Sequence, residues 1–187
     1  FVADLDKFFG NLPKGWPYAI EMRNKNWLAP EYFACLARHG ITHVFNSWDA
    51  MPPVSEQVAL TGSHTNSQLV AARFLLKPGR KYEEAVKTFQ PYDKTKEVND
   101  EARKAGADLI KAGKSPDKQK KTLIFVNNRL EGNALETIAA MIDGGVLDGR
   151  FNGVLQPGLP SGAEIQYYLE AVDLSGQAIV EPDEAIF

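Results

Sequence analysis

Cysteine is almost absent from this chain. Cys35 is the only one in 187 residues, so no internal disulfide is possible, and its place in an apolar helical pattern fits a buried thiol in a reducing compartment. There is also no apolar run long enough to cross a bilayer and no positively charged, cleavable leader. Excess positive charge is missing too: 21 Lys and Arg stand against 24 Asp and Glu, for a formal net charge of −3. Such a chain has no global attraction for phosphate backbones or anionic lipid surfaces, so neither nucleic acid nor membrane is an expected partner. No glycine pattern matches a phosphate loop or a dinucleotide fingerprint, and no Gly-x-Ser-x-Gly elbow occurs. These absences leave a cytoplasmic protein without a cofactor as the expectation. An initiator methionine is lacking as well, and Phe1, Val2, Leu5, Phe8, Phe9 and Leu12 recur at helical spacing from the first residue. The expected N-terminus therefore lies upstream.

What is present is a globular composition, 44% hydrophobic and 24% charged, with strand and helix patterns in alternation. After the opening helix, residues 16–23 read as a strand. Pro30 and Gly40 bracket a helix over 31–39 with an apolar stripe of Tyr32, Phe33, Leu36 and Ala37. A second strand follows at 41–46, then a proline-rich connection with one helical turn over 47–68. The third strand, 69–76, is almost continuously apolar, as a strand buried on both faces should be. Helices are predicted over 82–89 and 95–112, the latter with Val98, Ala102, Ala105 and Leu109 inward. The Lys-rich stretch 114–121 reads as a solvated loop without the interleaved aromatics that base stacking needs. A fourth strand, 122–127, precedes a helix over 133–142 with Leu135, Ile138, Ala139 and Ile142 inward.

Four strands alternating with helices require parallel βαβ crossovers, hence an open doubly wound sheet or a closed barrel. The expected fold class is α/β, a partial parallel βα barrel of four βα units over 1–142. A β-rich tail occupies 143–187. In it Ile165, Tyr167, Leu169 and Ala171 alternate with Gln166, Tyr168, Glu170 and Val172, and Ser175-Gly176 supplies a hairpin turn. An isolated unit of this kind exposes at least one sheet edge, so self-association through open edges is expected unless the tail covers them.

Each predicted strand ends in polar groups, and ligands of parallel sheets sit at the strands' carboxyl ends. Alternation puts Glu21 and Arg23 on one face and Ile20 and Met22 on the other, so the charged pair should point away from the helices. Arg73 interrupts an apolar strand and needs a carboxylate or an anionic ligand for its fork; Glu21 is the internal candidate. Two guanidiniums against one carboxylate leave positive charge for a phosphate or carboxylate substrate, or else form a closed structural network. Asn127 and Asn128 can orient such a substrate or cap the next helix. Asn46, Trp48 and Asp49 follow the second strand, where Asp49 is either a general base or a turn residue and Trp48 an apolar wall. His39 and His43 are four apart, but Gly40 and the β-branched Ile41-Thr42 separate a helix end from a strand start between them. They should not share a helical face, and with His64 as the one further histidine no metal site is expected in this chain.

Several of these segments carry a family resemblance. Ala19-Ile20-Glu21-Met22-Arg23 with Trp27, Arg73 with Gly79 and Tyr82, and Ile124-Phe125-Val126-Asn127-Asn128 followed by Gly132-Asn133-Ala134 resemble the C-terminal half of the YecE-like proteins, catalogued as domain of unknown function 72. The resemblance implies strands five to eight of a βα barrel and brings no established activity. It departs at Arg73-Phe74-Leu75-Leu76, where the family usually follows the arginine with histidine and glycine, which puts a histidine-dependent step in doubt. The tail resembles the terminal hairpin of small immunoglobulin-like modules through Tyr167-Tyr168-Leu169-Glu170-Ala171-Val172-Asp173.

The expected function is binding of a small polar or anionic substrate at the strand carboxyl ends. Glu21 and Asp49 are the acid/base candidates; Arg23, Asn46, Trp48, Arg73, Asn127 and Asn128 are the binding candidates. Hydrolysis or isomerisation suits these groups. The alternative is a noncatalytic ligand-binding or interaction module built on the same cluster.

Overall fold

The computed structural model describes residues 1–113 and 120–145 and, as backbone, Tyr167–Glu170. Four parallel strands, β1 (Ala19–Glu21), β2 (Thr42–Ser47), β3 (Leu69–Phe74) and β4 (Lys121–Val126), lie side by side in chain order. A fifth, β5 (Tyr167–Glu170), pairs antiparallel with β4, with Tyr167 opposite Val126 and Glu170 opposite Leu123. Between the strands run α2 (Pro30–Arg38), α3 (Val54–Ala59), α4 (Tyr82–Phe89) and α5 (Asp100–Gly113); α1 (Val2–Gly10) precedes β1 and α6 (Ala134–Gly145) follows β4. The α/β class and the parallel, helix-interleaved sheet are therefore as the sequence implies. Part of the tail is a strand; the hairpin at Ser175-Gly176 and the rest of 143–187 beyond Gly145 lie outside the described residues.

Register fixes which side chains share a face. Asn46, Arg73 and Phe125 are aligned across β2, β3 and β4, and the residues on either side of them point the opposite way. That opposite face carries Phe45, Val70, Ala72, Phe74, Ile124 and Val126, all buried against Ala102, Ala105, Leu109 and Ile110 of α5 and Met141 of α6. Removing Phe45 and Phe74 from water contributes about 2–3 kcal/mol each. A smaller cluster packs Met22 beside Tyr32, Phe33, Cys35 and Leu36 of α2 and Phe9 of α1. α2, α5 and α6 thus take one face of the sheet and leave Glu21, Asn46 and Arg73 on the other.

Several local expectations fail for identifiable reasons. β1 is three residues rather than eight, since it is an edge strand flanked by Pro17, and Trp16 is exposed. In α2 the buried set is Tyr32, Phe33, Cys35 and Leu36, and Ala37 faces water. α5 begins at Asp100 and not at residue 95, because the segment before it is fastened elsewhere. Thr95 N donates to the Glu136 carboxylate, and Lys96 N and Glu97 N both donate to the Glu131 carbonyl. Asn99 then accepts from Ala102 N as a helix cap, and Val98 is left exposed. α6 is rotated from the predicted stripe: Ala134, Thr137 and Met141 are buried, Ile138 and Ile142 flank them, and Ala139 is exposed. Small residues decide that rotation. A Cβ on Gly106 would stand 2.5 Å from Met141 Sδ, and one on Gly145 would stand 2.9 Å from Ile110 Cβ, so α5 and α6 approach along a glycine-lined seam.

Candidate functional site

β1 ends at Glu21, and Arg73 lies one residue before the end of β3. Both belong to the sheet face that α2, α5 and α6 leave free. Arg73 Nη1 donates to Glu21 Oε2, and Arg23 Nε donates to Glu21 Oε1 at 2.6 Å. One carboxylate thus receives two guanidiniums, and the trio carries a net single positive charge. Its layering is clear from exposure: the Glu21 side chain is 13% exposed, those of Arg73 and Arg23 are 39% and 44%. The anion lies beneath and the cations above, where a ligand can reach them.

Neighbouring residues hold this arrangement. The Arg23 guanidinium carbon lies 4.2 Å from the centroid of the Trp48 ring, a cation–π contact worth about 1 kcal/mol at a partly exposed site. Trp48 packs in turn against Leu76, Ala85 and Phe89. Asn46, fully buried, donates from Nδ2 to the Met22 carbonyl at 2.8 Å and so ties the end of β2 to the chain between Glu21 and Arg23. Its backbone is gripped by buried Gln57, which accepts from Asn46 N at 3.2 Å and donates to Asn46 O at 2.6 Å. Asn46 Oδ1 remains a buried acceptor without a hydrogen-bond partner among the described residues. Such an atom is costly to keep unless something occasionally serves it.

The other candidates sit around this trio with partners of their own. Asp49 is paired with Lys81 at 2.5 Å, a contact that raises the Lys81 pKa above its ordinary value, and its carbonyl accepts from Gly79 N at 2.8 Å. Asn127 Oδ1 accepts from Arg129 N at 2.9 Å, and Asn128 Oδ1 accepts from Ala134 N at 2.8 Å at the start of α6. Both amide oxygens therefore organise the β4–α6 loop, and neither is bonded to the Glu21 trio.

Two polar clusters escaped the sequence reading. In the first, Glu131 has no solvent exposure; both its oxygens receive Arg103, and it also accepts from Thr137 Oγ1 and Asn99 N. Its only signal was a lone acidic residue beside Leu130, between the predicted fourth strand and the helix that follows it. In the second, at the packed seam of α1 and α2, Asp6 Oδ1 accepts from Arg38 Nη1 at 2.6 Å, lies 2.8 Å from His39 Nε2, and is approached by Cys35 Sγ at 3.8 Å. The His39 bond, with Arg38 nearby, holds the Asp6 carboxyl below its usual range, whereas burial, followed by the Asp6 charge, pushes the Cys35 thiol up. Among the described residues, Asp6, Cys35 and His39 form the one group whose ligand atoms, lying within 4.8 Å of one another, could hold a metal ion. His43 lies elsewhere, buried with Nδ1 3.2 Å from Tyr32 Oη.

Among the described residues, no helix is long and apolar enough to cross a membrane. No curated protein matches the chain. A crystal structure of a DUF72 family protein from Enterococcus faecalis shares its fold, with a TM-score of 0.53 and 20% identity over 83% of this chain. The chain spans only 57% of the length of that protein. The family model described as "Protein of unknown function DUF72" matches residues 2–163, most of the sequence, and the chain belongs to that family.

Proposed function

We propose that this chain binds a small anionic molecule, carrying a phosphate or carboxylate group, at the carboxyl ends of β1, β2 and β3, between Arg23 and Arg73. The observation that supports it is the 2:1 ratio of guanidiniums to carboxylate at Glu21, with the cations outermost. A phosphate or carboxylate matches the planar fork of each arginine and supplies the second negative charge that the trio lacks. Asn46 and Trp48 on β2 and its exit, and Asn127 and Asn128 after β4, belong to the same ends of the strands and are the polar and apolar wall of the proposed site. The four βα units read as part of a closed βα barrel, in which these ends form the mouth.

Catalysis at this mouth assigns the acid/base role to Glu21 or Asp49, in a hydrolysis or isomerisation. Glu21 takes the role through ligand exchange: an incoming anion competes for the arginine forks and frees a carboxylate oxygen. The noncatalytic reading keeps the same anion site and dispenses with that exchange; it is favoured by the engagement of both Glu21 oxygens. Isothermal titration with phosphorylated sugars and small carboxylates, on the native chain and on Arg73→Ala, tests the binding. The expected result is salt-sensitive binding that weakens at least about tenfold in the variant, the loss of one charge-assisted bidentate contact. Absence of binding by both proteins retires the anion site for those ligands. Turnover that vanishes in Glu21→Gln while binding persists marks an enzyme.

A further inference from the structure

We propose that Asp6, Cys35 and His39 form a binding site for a zinc-type divalent cation at the seam of α1 and α2. The site lies near the amino-terminal end of β2, away from the Glu21 trio, and is independent of the anion-binding proposal. Cys35 and His39 are four residues apart, the second capping α2, so both project from one helical face, and Asp6 meets them from α1. Thiolate, imidazole and carboxylate together form the borderline-soft donor set that selects zinc over magnesium or calcium.

The distances are close to what such an ion needs. Metal–sulfur bonds of about 2.3 Å and metal–nitrogen or metal–oxygen bonds of about 2.0 Å set tetrahedral edges of roughly 3.5 Å between sulfur and oxygen and roughly 3.3 Å between nitrogen and oxygen. The corresponding separations here are 3.8 Å and 2.8 Å. The first must close and the second open by a few tenths of an ångström, within the reach of side-chain rotation. Phe9, edge-on to the His39 ring at 5.7 Å, holds the imidazole in place. As hydrogen bonding alone the cluster is lopsided: three donors converge on a single oxygen, Asp6 Oδ1, and the thiol, a weak donor, is the most distant of them.

The proton and charge balance close. The cation displaces the Cys35 thiol proton to solvent, and the His39 ring carries its remaining proton on Nδ1 so that Nε2 can ligate. Asp6 and Cys35 then supply two negative charges against two positive, leaving a neutral site with a fourth position for water. Arg38 competes with the cation for Asp6 Oδ1, and its side chain, 62% exposed, can turn to solvent.

Cobalt(II) titration of the full chain tests the site. Because Cys35 is the only cysteine and is completely buried, a near-ultraviolet thiolate-to-cobalt charge-transfer band reports this site and no bridge between two molecules. The expected band saturates at one cobalt per chain, is displaced by zinc, disappears in Cys35→Ser, and requires about tenfold or more cobalt in Asp6→Asn and His39→Gln, the loss of one ligand. Arg38→Ala should tighten cobalt binding, a gain that a folding defect does not imitate. Circular dichroism confirms that each variant is folded. If Cys35→Ser proves unfolded, the other three variants decide. No charge-transfer band in the native chain, or a band undiminished in both Asp6→Asn and His39→Gln, overturns the proposal.

Discussion

Arg103 meets Glu131 through two of its nitrogens, Nε at 2.9 Å and 3.0 Å from the two oxygens and Nη2 at 2.8 Å, in a pair whose carboxylate never touches solvent. The same carboxylate accepts from Asn99 N just before α5 and from Thr137 Oγ1 on α6. Three residues therefore converge on one charge, and the hydrogen bonds that Arg103 makes to it raise the Arg103 pKa above its ordinary value. Burial of the anion is tolerable only because every donor is present.

Glu131→Gln should accordingly cost about 3 kcal/mol or more, since it leaves Arg103 partly buried without its counter-charge. Urea unfolding of the variant, and of Glu131→Gln with Arg103→Gln, measures this. The double variant is expected to be less destabilised than the sum of the singles; strict additivity would show that the pair acts as two unrelated residues.

His43 makes stability depend on pH. Burial, aided by the charge of His64, pushes its pKa down to about 4 from 6.5. The unfolded chain takes up this proton as pH falls through 6.5, the native chain only near 4, so the native state loses stability across that window and regains it as pH rises. The full effect is about 3 kcal/mol. Denaturant midpoints followed through the window should slope steeply in the native chain and much less in His43→Gln; equal slopes contradict the assignment.

Gly132 is placed where no other residue fits. Its φ is +114°, and a Cβ there would lie 2.6 Å from the Lys94 carbonyl and 3.1 Å from Lys96 N. Gly132→Ala should therefore lose about 2 kcal/mol or more, from backbone strain and from the displaced loop that carries Glu131. Gly10→Ala, at the end of α1 with nothing within 4 Å of the added methyl, serves as the control and should be neutral or slightly stabilising. Similar losses in the two variants would refute the argument.

Self-association is expected through β1. The sheet order leaves β1 at one end, and among the described residues no strand pairs with its outer edge, whereas β4 is covered by β5. Light scattering across a range of concentrations should show mass increasing with concentration. Ala19→Lys, on the exposed edge strand, should reduce it. A monomer at every concentration removes the idea.

The alternation of strands and helices and the facing of Glu21 and Arg73 were legible because both follow from periodicity, which is a local property of the chain, whereas Arg23 lies beyond the end of β1 and is placed by its contacts with Glu21 and Trp48. Asp49 was legible only as a polar residue at a strand end, since its pairing with Lys81 depends on a loop that no spacing rule describes. Glu131 and the late start of α5 were hidden for the same reason: the carboxylate is stabilised by groups up to 32 residues away. The rotation of α6 was missed because periodicity ranks leucine above glycine, whereas the α5–α6 seam selects residues for their smallness.

The antiparallel pairing of β5 gives the chain a direction of departure. Tyr167 enters level with Val126, near the proposed anion site, and Glu170 leaves level with Leu123, so the backbone is travelling toward the amino-terminal ends of the parallel strands when it passes residue 170. The described part of β5 thus runs from the level of the proposed anion site toward the end of the sheet where α2 hands over to β2.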